Sequence, residues 1–300
     1  MSNISFFKSF YNYQKERFPI FVLSLTTIAV ILSSAAIVIE YGEPISKYLK
    51  QIIISFITVL LFTFHIRVID DYKDYLFDLK YHSDRPIQSG VIKIKTLLII
   101  DVIGLFIQAI LNLYFSIEAF IWWLIAFSYT ILATNEFFIG EKIKRNFFLY
   151  NFLNLIQLLI LQFYIYAIIY PSFILTDKLL IIHFIFVMFN ITLLEFGRKL
   201  KSKEEENIGK DTYSSRLGIA RATIIYIIIS LVIYYIFNFI LFNLQYKMFI
   251  LMLSLIPLNL LLISSIIYLK INNALSSKIL EICAILFYLS MHLLFIFTIL

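Results

Sequence analysis

Long apolar runs alternate with short polar breaks along almost the whole chain, at 18–39, 51–69, 97–115, 117–134, 147–169, 175–196, 219–243, 248–269 and 279–299. A hydrocarbon core takes about 20 helical residues at about 1.5 Å each, so each run is long enough to cross it once. A bilayer offers no water to backbone N–H and C=O groups. Spans of this length must therefore be helices, because barrel strands are about 10 residues long and alternate in polarity. The pattern predicts an all-α polytopic membrane helical bundle, with nine transmembrane helices around a central cavity. No soluble module is visible, so 1–300 reads as a single domain.

Composition agrees with this solvent: 61% of residues are hydrophobic and 15% charged, against about 45–50% and 25% in soluble chains. The first run, about 22 residues, exceeds the 7–15 residues of a secretory h-region and is expected to be retained. A lone cysteine, Cys283, excludes an internal disulfide and a cysteine-built metal site.

With loops alternating between the two sides and the N-terminus inside, only Lys47, Lys50, Lys178 and Lys247 of the 25 basic residues fall outside. The formal charge of +6 therefore reflects topology and does not point to nucleic acid. The expected location is a bacterial inner membrane, with the N-terminus and the loops after spans two and six facing the cytoplasm.

Acidic residues are less evenly spread than topology requires. Ten of the 19 lie in two windows, Asp70–Lys95 and Glu195–Arg221, one after span two and one after span six. If the first window continues the span-two helix, Asp71, Asp74 and Asp78 share one face, and Asp70 lies about 100° away. Carboxylates stacked this way suit Mg²⁺, which takes one or two of them and completes its shell with water and phosphate oxygens. The alternative is a solvated acidic loop with Asp–Lys pairs of little energetic weight.

The first window reads Asp70-Asp71-Tyr-Lys-Asp74-Tyr-Leu-Phe-Asp78, then Arg85-Pro86-Ile-Gln-Ser-Gly90. It resembles the UbiA superfamily of intramembrane prenyltransferases, whose pattern is N/D-D-x-x-D-x-x-x-D followed by R-P-x-x-x-G. Asp70 stands where asparagine is usual. The nine spans, with acidic loops after the second and sixth, are also the family's architecture. The second window departs further: Glu195-Phe-Gly-Arg198-Lys199, then Glu204-Glu205-Glu206 and Gly209-Lys-Asp211, in place of an aspartate array. An ordinary ion-paired helix end is the other reading of Glu195, Arg198 and Lys199.

The resemblance implies Mg²⁺-dependent transfer of a prenyl group from a polyprenyl diphosphate to an unidentified acceptor, aromatic or quinone-precursor compounds among them, within the lipid membrane. It implies Asp71, Asp74 and Asp78 as catalytic metal ligands, supported by Asp70. Arg67 and Arg85 are expected on the diphosphate, with Glu195, Arg198 and Lys199 as further substrate-binding residues.

The chemistry is coherent, since four carboxylates alone repel a diphosphate and a bridging cation reverses that. Asn151, Asn154 and Gln157 form a polar stripe on span five, read as helix-packing glue or as an acceptor contact. Asp101 and Glu281 are expected in interfacial ion pairs, His292 in a structural role, and Trp122 and Trp123 in an interfacial belt. Two other classes stay open, a catalytically inactive relative and a membrane carrier of divalent cations. The D-G-x-x-A-R segment of CDP-alcohol phosphotransferases does not occur.

Overall fold

The structure, a computed structural model, describes residues 6–39, 43–140, 146–171, 176–206, 211–244 and 248–298. Lys142, Lys144, Arg145, Gly209, Lys210 and Lys247, used above for topology and motif, lie outside the described residues. The described residues are helical with no strand. The helices are α1 (Phe6–Arg17), α2 (Ile20–Val38), α3 (Leu49–Lys73), α4 (Tyr75–Tyr81), α5 (Ile94–Phe115), α6 (Ile117–Thr134), α7 (Phe147–Ile169), α8 (Lys178–Arg198), α9 (Tyr213–Leu217), α10 (Ile219–Asn243), α11 (Met248–Ile271) and α12 (Ala274–Leu293).

Nine of these, all but α1, α4 and α9, are long and apolar enough to cross a membrane. The protein is an integral, multi-pass membrane protein. Helix ends follow the hydropathy runs closely, except that α12 begins at Ala274 rather than near 279. An Asn273–Ser276 capping box starts it there, and Lys278 and Glu281 then sit within the helix and pair with each other at 3.2 Å. Charge at a membrane surface does not end a helix whose first N–H groups are capped.

The chain divides into two compact units, Met1–Ile28 with Lys50–Pro171, and Ala29–Leu49 with Ser172–Leu300. In the first unit α6 packs against α5 and α7. Phe106, Ile110 and Leu113 of α5 turn outward, which costs nothing against lipid tails.

Inside, polar side chains satisfy one another. Tyr164 donates to Asn112 Oδ1 at 2.8 Å, Asn112 donates to Thr58 at 3.3 Å, and Trp123 Nε1 donates to Gln108 at 3.0 Å. Trp123 is thus an interior residue rather than part of an interfacial belt. A separate apolar cluster of Tyr13, Phe18, Phe64, Val68, Ile87 and Leu97 ties α1 to α3, to the segment after α4 and to α5. That cluster brings α1 beside the first acidic window.

In the second unit α8 packs against α10 and α12, and α11 packs against both of those. Gly197 permits the α8 contact: a Cβ there would stand 3.0 Å from the Ala284 methyl and 3.6 Å from the Tyr226 ring. His292 has the structural place expected of it, with Ser33 Oγ lying 2.7 Å from His292 Nδ1 and 3.2 Å from His183 Nε2.

Candidate functional site

The helix does not run straight through the first window. Asp74 takes φ −87°, ψ 7°, between the end of α3 and the start of α4. The hydrogen-bond ladder nonetheless continues, from Asp74 N–H to the Asp70 carbonyl at 2.9 Å and from Asp78 N–H to the Asp74 carbonyl at 2.8 Å. The result is a kink rather than a loop.

The arginine–proline motif then closes a turn, with Ser89 N–H bonded to the Arg85 carbonyl at 2.8 Å and Ile92 N–H to that of Pro86 at 3.1 Å. Gly90 sits at φ +77°, a left-handed conformation that explains glycine at the motif's last position.

The kink sorts the four aspartates differently from a straight column. Asp71 and Asp78 are buried, at 1% and 2% exposure. Asp71 accepts from the Tyr13 hydroxyl at 2.8 Å and from the Arg17 guanidinium, with Arg67 Nη1 at 3.9 Å. Asp78 is paired with Arg85, and Arg17 reaches it at 3.7 Å. One guanidinium from α1 therefore spans two carboxylates that are seven residues apart. Burial and the Asp71 carboxylate push the Tyr13 hydroxyl's pKa up, so it stays a donor.

Asp70 and Asp74 are less enclosed. Arg67 donates to Asp70 at 3.2 Å. Burial, then the Asp70 and Asp78 carboxylates, raise Asp74 to about 6, the mark of a carboxylate that has too little positive charge nearby.

Asp70 and Lys73 line a narrow cleft, with Thr130, Asn154 and Gln157 among its other walls. Lys73 Nζ donates to the Ala133 carbonyl at 3.1 Å and lies 5.6 Å from the Tyr150 ring centre. Gln157 accepts from Thr130 at 3.2 Å. The polar stripe of α7 thus acts as packing glue at Gln157, which bonds α6, while Asn154 lines the cleft.

The second window, in the other unit, pairs its acidic residues mainly with near neighbours, while Tyr268 donates to the Lys201 carbonyl at 2.7 Å and Lys201 lies 3.9 Å from Glu281. Glu195 accepts from Arg198 Nη2 at 2.9 Å and pairs with Lys199 Nζ at 2.8 Å. Phe196 stacks on Tyr213, ring centres 3.8 Å apart at 9°. Burial lowers the Lys199 pKa. Glu205 accepts from the Ser202 hydroxyl at 2.8 Å, and Glu206 from Thr212 at 2.7 Å and Ser214 at 2.5 Å. These glutamates close a loop.

The family model described as UbiA prenyltransferase family matches residues 27–291. The chain belongs to that family. It is a membrane prenyltransferase. Its fold is similar to that of the solved structure of a digeranylgeranylglyceryl phosphate synthase in membranes, at a TM-score of 0.61 and 17% identity over 98% of each chain. A sequence search of curated proteins returned no match.

Within this UbiA-family fold, sequence reasoning missed Tyr13 and Arg17 as partners of the aspartates. It also placed Asp101 in an interfacial ion pair, whereas Asp101 is buried beside His65. The signals were faint: Tyr13 and Arg17 stand one turn apart on a short polar helix, and an intramembrane aspartate needs a partner.

Proposed function

We propose that the protein carries out Mg²⁺-dependent transfer of a prenyl group from a polyprenyl diphosphate to a small-molecule acceptor within the membrane, the whole chain acting as one domain. The carrying observation is the gathering of four aspartates where α3 meets α4: burial and the Asp70 and Asp78 carboxylates leave Asp74 with a raised pKa, and Asp70 lines the neighbouring cleft.

The residues present fit a hard cation. Carboxylate oxygens are the donors that Mg²⁺ prefers, and it completes its shell with phosphate oxygens. Among the described residues no three His, Cys, Asp or Glu groups converge closely enough to enclose a cation by themselves, so the proposed ligands would need the substrate's phosphate oxygens to complete the shell. Asp71, Asp74 and Asp78 are the proposed ligands and Asp70 supports them. A cation held by these residues would supply charge neutralisation for the leaving diphosphate.

Arg67 and Arg85, already among these aspartates, supply guanidinium donors for the leaving diphosphate. In the other unit Arg198 and Lys199, held by Glu195, offer cations of the same use. The basic-residue distribution favours a cytoplasmic face for both windows, as in a bacterial inner membrane.

The deciding experiment supplies purified protein with labelled prenyl diphosphates of several lengths and an acceptor panel. The panel should span aromatic acids, quinone precursors and prenylated glyceryl phosphates, the last after the structural neighbour's name. Mg²⁺-dependent appearance of prenylated product supports the reading. Cation flux across liposomes with no diphosphate consumed would replace it by a carrier.

A further inference from the structure

Asp101 and His65 form a buried dyad that the aspartate motif does not use. They are 3% and 5% exposed, and His65 Nδ1 donates to Asp101 Oδ2 at 2.8 Å. The ring is flanked by Phe62 and Phe127, with ring centres at 5.9 and 5.6 Å. Among the described residues His65 Nε2 meets no hydrogen-bond partner, and Asp101 Oδ1 is fully buried without one. A carboxylate that accepts Nδ1–H fixes the ring's orientation and tautomer and leaves the lone pair on Nε2.

The dyad's place in the helices connects it to the cleft. His65, Ile69 and Lys73 are four residues apart on α3 and share one face. Ile69 and Lys73 line the cleft, so His65 is the next position down that face, about 7 Å deeper than Asp70 along the axis. On α6 a three-residue step, also close to one turn, runs from Thr130, a cleft residue, to Phe127, which packs on the His65 ring. On the prenyl-transfer reading, a diphosphate held at Asp70–Asp78 would point its apolar prenyl chain toward the bilayer, and so toward this depth.

We infer that His65, aligned by Asp101, is the base that takes the acceptor's proton during prenyl transfer. The inference rests on the prenyl-transfer reading above. In the step, the bond from the prenyl carbon to the diphosphate oxygen breaks and its electron pair leaves with the diphosphate. The prenyl carbon bonds to the acceptor's oxygen or carbon, and the one proton displaced from that atom moves to His65 Nε2. Whether the acceptor is a phenol, an alcohol or water, one proton is released and no oxidant is needed.

The test uses the full chain in phospholipid nanodiscs with Mg²⁺ and labelled geranylgeranyl diphosphate. The acceptors are 4-hydroxybenzoate, a prenylated glyceryl phosphate, or water alone. Binding of the diphosphate is measured separately from formation of prenylated product or prenyl alcohol.

His65→Ala, His65→Gln and Asp101→Asn should bind the diphosphate as the parent does, with KM unchanged and kcat lower by about 100-fold or more. Imidazole should restore part of the kcat of His65→Ala and none in Asp74→Asn. Undiminished product formation in His65→Ala overturns the inference while leaving the prenyl-transfer reading intact. Loss of diphosphate binding in all three variants, without imidazole rescue, also overturns it and makes the dyad a packing element. A parent protein that consumes no prenyl diphosphate under any of these conditions overturns both.

Discussion

The two charged windows hold similar numbers of carboxylates, yet the first adds to its local pairs with Arg67 and Arg85 a countercharge from far along the chain, whereas the second relies mainly on its own neighbours. Asp71 is bonded by Tyr13 and Arg17, 58 and 54 residues away. Glu195 is bonded by Arg198 and Lys199, three and four residues away on the same helix end. Glu205 and Glu206 accept from hydroxyls of their own loop, and Glu205 also from Ser277. A window paired by its neighbours needs only helical geometry to exist, whereas one paired across the fold requires tertiary packing to hold buried charge. The cross-fold arrangement of the first window costs more to form, and within it Asp74 is left short of positive charge.

This contrast can be broken experimentally, and the largest effect should come from the underneutralised aspartate. Asp74→Asn is expected to lower Mg²⁺-dependent turnover by about 10³-fold, while membrane insertion and the helical circular-dichroism signal stay unchanged. Near-normal turnover in this variant removes the metal assignment.

Arg17→Ala should come next. It leaves Asp71 and Asp78 buried with less compensation and should lower unfolding stability by about 3 kcal/mol, as followed by thermal denaturation in detergent. Arg198 is 56% exposed, so Arg198→Ala should cost less than about 1 kcal/mol in the same assay. Equal losses in the two variants would erase the distinction between the windows.

A subtler effect belongs to pH. Asp74 is raised from 3.8 to about 6, so the folded state holds its proton more tightly than the unfolded chain does. Without a cation, that contribution to stability is fully present below about pH 4 and is lost as pH rises through about 6. Stabilisation by added Mg²⁺ should follow the opposite course, large above pH 6 and fading below it as the proton competes for Asp74. Thermal shifts across pH 4.5–7.5, with and without Mg²⁺, check this, and a pH-independent Mg²⁺ shift would exclude Asp74 as a ligand. In Asp74→Asn the pH dependence of the shift should disappear.

Much of the fold was legible because a bilayer imposes one rule on every span. The runs 117–134, 147–169 and 219–243 coincide with α6, α7 and α10, since hydropathy and backbone hydrogen bonding leave no other choice. The aspartate spacing and the arginine–proline turn were equally plain, including glycine at the left-handed position 90. The kink at Asp74 was not, because the residues around it are ordinary helix formers that contain neither proline nor glycine. Nor could hydropathy tell that Trp123 faces inward to Gln108, since an interfacial and an interior tryptophan read alike in a run of apolar residues.

By itself, then, the amino-acid order determined the nine crossings, the position of both charged windows and the chemical type of the first. Those properties depend on neighbours within a few turns and on the solvent, which act through length, spacing and hydropathy. Only the tertiary structure decided which carboxylates are neutralised, that α1 supplies Arg17 and Tyr13, and that Asp101 meets His65. Pairings of this kind depend on which helices pack side by side, and charge interactions inside a low-dielectric interior are strong enough that the choice of neighbour sets the chemistry.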